Sequence, residues 1–123
     1  MRKRIYAVGA DSLMSDEVIE FMPKVLHGAT AAFALGIKYP NIPSDVLKAV
    51  LNHTTAALRM SRLDMVIYIA DALEPGRDYP EYEKLAELIG DICLEDLFCK
   101  VYAESTIAVI RKGKPLYPMT VEI

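Results

Sequence analysis

Two histidines and one aspartate are the side chains of this sequence whose types and setting could carry chemistry. His27 and His53 are the only histidines among the 123 residues, and both fall on apolar segments. Asp71 interrupts the apolar run MVIYIADAL, which ends at the turn signal Glu74-Pro75-Gly76-Arg77. Imidazole nitrogens with a carboxylate oxygen are a ligand set for iron, manganese or zinc. Their spacing is not that of a local zinc motif. Hydrogen-bonded core histidines, with Asp71 as a polar staple to a backbone group or to Tyr68, account for the same residues. An ionised carboxylate inside an apolar helix costs several kcal/mol unless it is paired or bound to a metal. Asp71 therefore needs a partner, and His53 is the nearest candidate.

The elements that must position these three residues read as helices. Ser61 is a good N-cap, and Asp64 three positions on completes a capping-box-like pair. Leu63, Val66, Ile67 and Ala70 recur at helical spacing, with Met65, Ile69 and Leu73 on the other side. A helix apolar all round predicts burial for 62–73. His27 opens a helix to about Lys38 whose Gly28, Ala29, Ala31, Ala32 and Ala34 favour close packing. Two prolines make 39–43 a turn. Ser44 predicts the cap of a helix from 45 to 52 or 53, with Val46, Ala49 and Val50 inward and His53 continuing that face. Residues 54–60 are a link and 74–80 a loop. A modest helix spans 81–89, and Gly90-Asp91 breaks it. A long helix covers 94–112, stopped by Gly113 and Pro115. The 114–123 tail is expected to be extended and docked through Leu116 and Tyr117. Residues 1–15 are weakly defined, and Ser15 marks a short helix over 16–22. No strand-forming alternation competes, so 1–123 reads as a single all-α domain, a compact helical bundle.

Composition narrows the function. The chain is 53% hydrophobic and 25% charged, with net charge −3 and pI ≈ 5.4. That is a globular composition without the basic stripe of a nucleic-acid binder. No apolar run is long enough to span a bilayer, and the basic MRKR start is not followed by a signal-peptide core. Cys93 and Cys99, the only cysteines, read as reduced thiols of a cytoplasmic protein. There is no Gly-rich phosphate loop and no nucleophile elbow. Ser105 and Thr106 lie mid-helix and read as hydroxyls bonding the preceding turn.

One string carries a resemblance. His53-Thr54-Thr55, Met60-Ser61, Leu63-Asp64, Tyr68, Ala70-Asp71, Glu74-Pro75 and Arg77, with Leu26-His27-Gly28 upstream and Gly113-Lys114-Pro115 and Pro118-Met119-Thr120 downstream, resemble the YqeK-type HD-domain phosphohydrolases over roughly residues 16–121. The resemblance implies an HD-like helical fold and hydrolysis of dinucleoside tetraphosphates, diadenosine tetraphosphate giving two ADP. It implies two metal ions, usually iron, with manganese as the other candidate. The family's ligands run from a first His through an adjacent His-Asp pair to a His before Gly, a His before Thr and an Asp after Ala. His27, His53 and Asp71 match the last three. Arg59, Arg77 and Thr54 are the matching candidates for substrate contact. A metal-bridging water would be the nucleophile, and no catalytic side chain is assigned.

This sequence has no adjacent His-Asp pair and no histidine before His27. The resemblance therefore implies a family member without its first third. Weak binding of at most one metal and negligible hydrolysis are expected of this chain alone. The alternative expectation is a non-catalytic helical remnant that forms a homo-oligomer or binds nucleotide without cleaving it.

Overall fold

The computed structural model describes residues 26–77, 79–118, 120 and 122–123. The expected helix over 16–22 lies outside the described residues. Those described form five helices and no strand: α1 His27–Lys38, α2 Ser44–Asn52, α3 Arg62–Ala72, α4 Pro80–Ala86 and α5 Leu94–Arg111. None is long and apolar enough to cross a membrane. Helix α1 packs on α2, α2 on α3, and α3 and α4 both on α5. The all-α reading holds.

Helix ends follow local chemistry. At α3 the Ser61 hydroxyl accepts from Asp64 N at 3.1 Å, and the Asp64 carboxylate accepts from Ser61 N at 3.0 Å, a complete capping box. At α5, Gly113 takes φ +67, its N–H reaches the Ile110 carbonyl, and Lys114 N–H reaches that of Val109. Those paired bonds are a Schellman stop. Two expected boundaries move. Helix α2 already includes Ser44, with Pro43 at the cap position and no side-chain cap bond. Proline fixes the entry φ and leaves Ser44 inside the first turn. Helix α4 begins at Pro80 and ends at Ala86, three residues short of the expected end. Residues 87–91 turn instead, and Gly90 takes φ +89.

The main core joins α3, α4 and α5 through Tyr68, Ile69, Ala72, Leu85, Leu97, Phe98 and Val101. Tyr68 stands edge-on to Phe98 at 5.3 Å between ring centroids, and Phe98 stacks on Tyr102 at 5.8 Å. Helix α3 is not apolar-buried all round, since Leu63 and Val66 are exposed. On α2, the buried residues are Leu47, Ala49, Leu51 and Asn52, with Val46 and Val50 half-buried. The inward arc is thus rotated from the expected one. In the tail Tyr117 is buried whereas Leu116 is not, and Tyr102 Oη donates to the Thr120 carbonyl at 2.9 Å.

Small residues seat α1. Gly28, Ala29, Ala32 and Gly36 are buried. A Cβ on Gly28 would collide with the Leu51 carbonyl oxygen and lie 3.1 Å from that of Val50. Only glycine lets the first turn of α1 come this close to the last turn of α2.

Candidate functional site

The close approach at Gly28 places the two histidines side by side. His27 is the first residue of α1 and His53 the C-cap of α2, and their rings meet edge to face with centroids 5.3 Å apart. His53 Nδ1 is hydrogen-bonded to the Val50 carbonyl. A carbonyl only accepts, so Nδ1 donates here and Nε2 is the ring nitrogen not engaged by this bond. A backbone carbonyl behind an imidazole in this way is the usual support of a metal-binding histidine. Both were expected to be buried. His27 is exposed and His53 half-buried, because they sit at helix ends that open on a cleft.

That cleft, of ≈ 810 Å³, is lined by His27 and Thr30 of α1, His53 and Thr54 after α2, and Tyr68, Asp71 and Ala72 of α3. Arg77, Tyr82 of α4, and Ser105, Ala108, Val109 and Lys112 complete the wall. Its size is that of a ligand pocket. Five of the six residues singled out in the sequence thus border one space. Arg59, on the link between α2 and α3, is exposed and is not among the lining residues.

Asp71 is the main correction. Its side chain is 46% exposed and is paired with Arg77, not with His53. Arg77 Nη2 donates to Asp71 Oδ2 at 3.1 Å, and Nε donates to the Asp71 backbone carbonyl at 2.9 Å. The turn makes this possible: Arg77 N–H bonds the Glu74 carbonyl at 3.0 Å, which folds Arg77 back over the end of α3. The buried carboxylate of α3 is instead Asp64, fully enclosed at 0% exposure. Lys48 Nζ lies 3.3 Å and Asn52 Nδ2 3.4 Å from its Oδ2, while Oδ1 has no hydrogen-bond partner. The capping-box motif marked Asp64 in the sequence. Its burial was not legible there, because α2 covers it from outside the local pattern.

The cleft also holds Tyr82 and Lys112, which the sequence did not single out, and Ser105, whose hydroxyl was expected to bond the preceding turn and meets Tyr82 instead. Ser105 Oγ and Tyr82 Oη are 3.0 Å apart. Thr106, by contrast, bonds the Tyr102 carbonyl one turn back at 3.0 Å, as expected of it. Burial pushes the Tyr68 hydroxyl up to about 12; its bond to Ser105 opposes that, and Tyr102, Tyr82 and Asp71 add to it. Lys112 stands at the end of α5 as its C-cap residue.

Among the described residues, no three His, Cys, Asp or Glu side chains are grouped so as to hold a metal ion. The two imidazoles are a fitting pair of donors, but the third expected donor is turned to Arg77. The described residues therefore do not fit a closed metal shell.

No protein-family model matches the chain. It is 36% identical over 88 residues to a Mycoplasma pneumoniae protein named probable nicotinate-nucleotide adenylyltransferase/Ap4A hydrolase, covering 72% of this chain and 26% of that one. It is 22% identical over 120 residues to the symmetrical bis(5'-nucleosyl)-tetraphosphatase of Staphylococcus aureus, covering 97% of this chain and 62% of that protein. The protein of the same name from Halalkalibacterium halodurans is 26% identical over 110 residues, 89% of this chain and 58% of its own. The chain thus spans less than two thirds of the length of these relatives. The kinship implied by the string from His53 to Arg77 is borne out: the chain is a homologue of bacterial proteins named symmetrical bis(5'-nucleosyl)-tetraphosphatase.

Proposed function

We propose that the cleft is a nucleotide site of the dinucleoside tetraphosphate hydrolase type and that its ligand is a dinucleoside polyphosphate. The observation that carries this reading is the convergence of His27, His53, Thr54, Asp71 and Arg77 on one cleft, in a homologue of proteins named for that hydrolysis. His27 and Nε2 of His53 are the donors toward a divalent cation, iron or manganese. Arg77 is held at the cleft wall by Asp71, where its remaining N–H groups can meet a phosphate oxygen. Thr54 offers a hydroxyl beside His53.

Two imidazoles are too few for tight metal capture, and no other histidine exists in the chain. Binding without turnover is therefore the expected behaviour of this chain alone, which favours the non-catalytic alternative for it. Metal analysis of the purified chain, with diadenosine tetraphosphate hydrolysis assayed under iron and manganese, tests this. The expected result is substoichiometric metal and negligible ADP release. Two tightly held ions and sustained turnover would overturn it.

A further inference from the structure

Away from the histidine pair, the cleft wall between α4 and the end of α5 has a chemistry of its own. The cleft's carboxylate, Asp71, is matched by Arg77. Arg111, next to Lys112, is directed to Glu81 at 3.5 Å and to the Tyr79 hydroxyl at 3.3 Å. Lys112 has no ion-pair partner among the described residues, so it is the cleft's uncommitted fixed cation. Ser105 lies seven residues before Lys112, on the same stripe of α5, at about 10 Å along the axis. Helical side chains lean toward the N-terminus. A lysine at 112 can therefore reach back along this stripe toward Ser105, and both residues line the cleft. The bond between Ser105 and Tyr82 joins two hydroxyls at 3.0 Å. Tyr68 bonds Ser105 as well, so three hydroxyls share two bonds and one O–H remains to donate.

From this we infer that Lys112 and the Ser105–Tyr82 hydroxyl pair form an anion subsite that holds a chain of two or more phosphates without a metal ion. The ammonium takes one phosphate and the spare hydroxyl donor another; among the described residues that line the cleft, the carboxylate is Asp71, already paired with Arg77. The inference rests on the nucleotide reading of the cleft and adds where the phosphates lie. It also separates phosphate binding from metal binding, which the incomplete donor set at His27 and His53 cannot secure.

The test is calorimetric titration of the full chain with inorganic triphosphate in the presence of EDTA. Saturable one-to-one binding is expected, with single orthophosphate at least about tenfold weaker. Lys112→Gln should weaken triphosphate binding about tenfold. Ser105→Ala should weaken it less, and Arg62→Gln, which faces Glu95 and does not line the cleft, should leave it unchanged. Lys112 is exposed, so its variant will fold, and matching unfolding midpoints will show that it does. The inference fails if triphosphate does not bind in EDTA, if Lys112→Gln binds like the parent, or if Arg62→Gln weakens binding equally. A parallel titration with diadenosine tetraphosphate separates the two readings. Triphosphate binding through Lys112 without dinucleotide binding would sink the nucleotide reading and keep the subsite. Dinucleotide binding indifferent to Lys112 would do the reverse.

Discussion

Gly28→Ala is the substitution that most sharply probes how the histidines come together. In an exposed helix it would stabilise the chain by ~1 kcal/mol through helix propensity alone. Here the new methyl would collide with the Leu51 carbonyl oxygen, with the Leu51 carbonyl carbon at 3.2 Å and the Val50 oxygen at 3.1 Å. All three are backbone atoms at the end of α2 and cannot rotate away. Non-bonded carbon needs about 3.5 Å, so α1 must back off α2 by on the order of 1 Å. Overpacking of this kind costs about 1–3 kcal/mol, and the clash with fixed backbone puts Gly28→Ala toward the upper end, which leaves a net loss of up to about 2 kcal/mol after the propensity gain. Urea denaturation followed by circular dichroism reads that loss directly. A second reading is Zn²⁺ affinity, which should fall toward that of a single imidazole as the 5.3 Å ring contact opens. A neutral or stabilising Gly28→Ala, with unchanged Zn²⁺ binding, would refute the close approach of α1 to α2 and the paired histidines with it.

Further outcomes follow from the geometry. Asp64→Ala should destabilise by about 2–4 kcal/mol, because it removes the α3 cap and strands donors under α2. Asp71→Ala should cost under about 1 kcal/mol, since its pair with Arg77 is half-exposed; chemical denaturation of the two variants checks the contrast. The alkaline titration of the seven tyrosines, followed by near-ultraviolet absorbance, should show one late phase near 12 that disappears in Tyr68→Phe. The folded pKa is raised above the unfolded value of 10.0, so its stabilisation is complete below about pH 10 and is lost as pH rises toward 12. The loss amounts to about 2–3 kcal/mol, and denaturation midpoints that stay flat between those pH values would contradict it. Finally, His53→Ala should abolish the residual metal binding and leave triphosphate binding in EDTA intact, as calorimetry with Mn²⁺ and with triphosphate would show.

The parts of this fold that were legible in the sequence are those governed by local chemistry. Ser61 and Asp64 marked the start of α3, Gly113 the end of α5, and the small residues of α1 its tight seat. What escaped was set by residues far apart in the chain. Asp71 read as buried because the helix around it is apolar, but that pattern does not say which face neighbouring helices cover. Leu63 and Val66 share its error, for α5 covers the Tyr68–Ile69 side instead. Asp64 sits under α2, an arrangement that no period within α3 encodes. The candidate site was legible through residue types and one family-like string, which brought out His27, His53, Thr54, Asp71 and Arg77. Ser105, Tyr82 and Lys112 carried no such signal. They meet only because α4 folds onto α5, and a serine in mid-helix or a lysine at a helix end has an ordinary local explanation.

The central functional claim is that the cleft takes a dinucleoside polyphosphate. The most direct measurement is a heteronuclear NMR titration of the isotopically labelled chain with diadenosine tetraphosphate. The amide signals of Gly28, Thr54, Ala72, Arg77, Tyr82, Ser105 and Lys112 should move together and saturate at one ligand per chain. Those of Arg59 and of the exposed Arg62–Glu95 pair should stay still. If the shifts fall on Arg59 and Glu95, or if no signal around the cleft moves at saturating ligand, the cleft is not the nucleotide site.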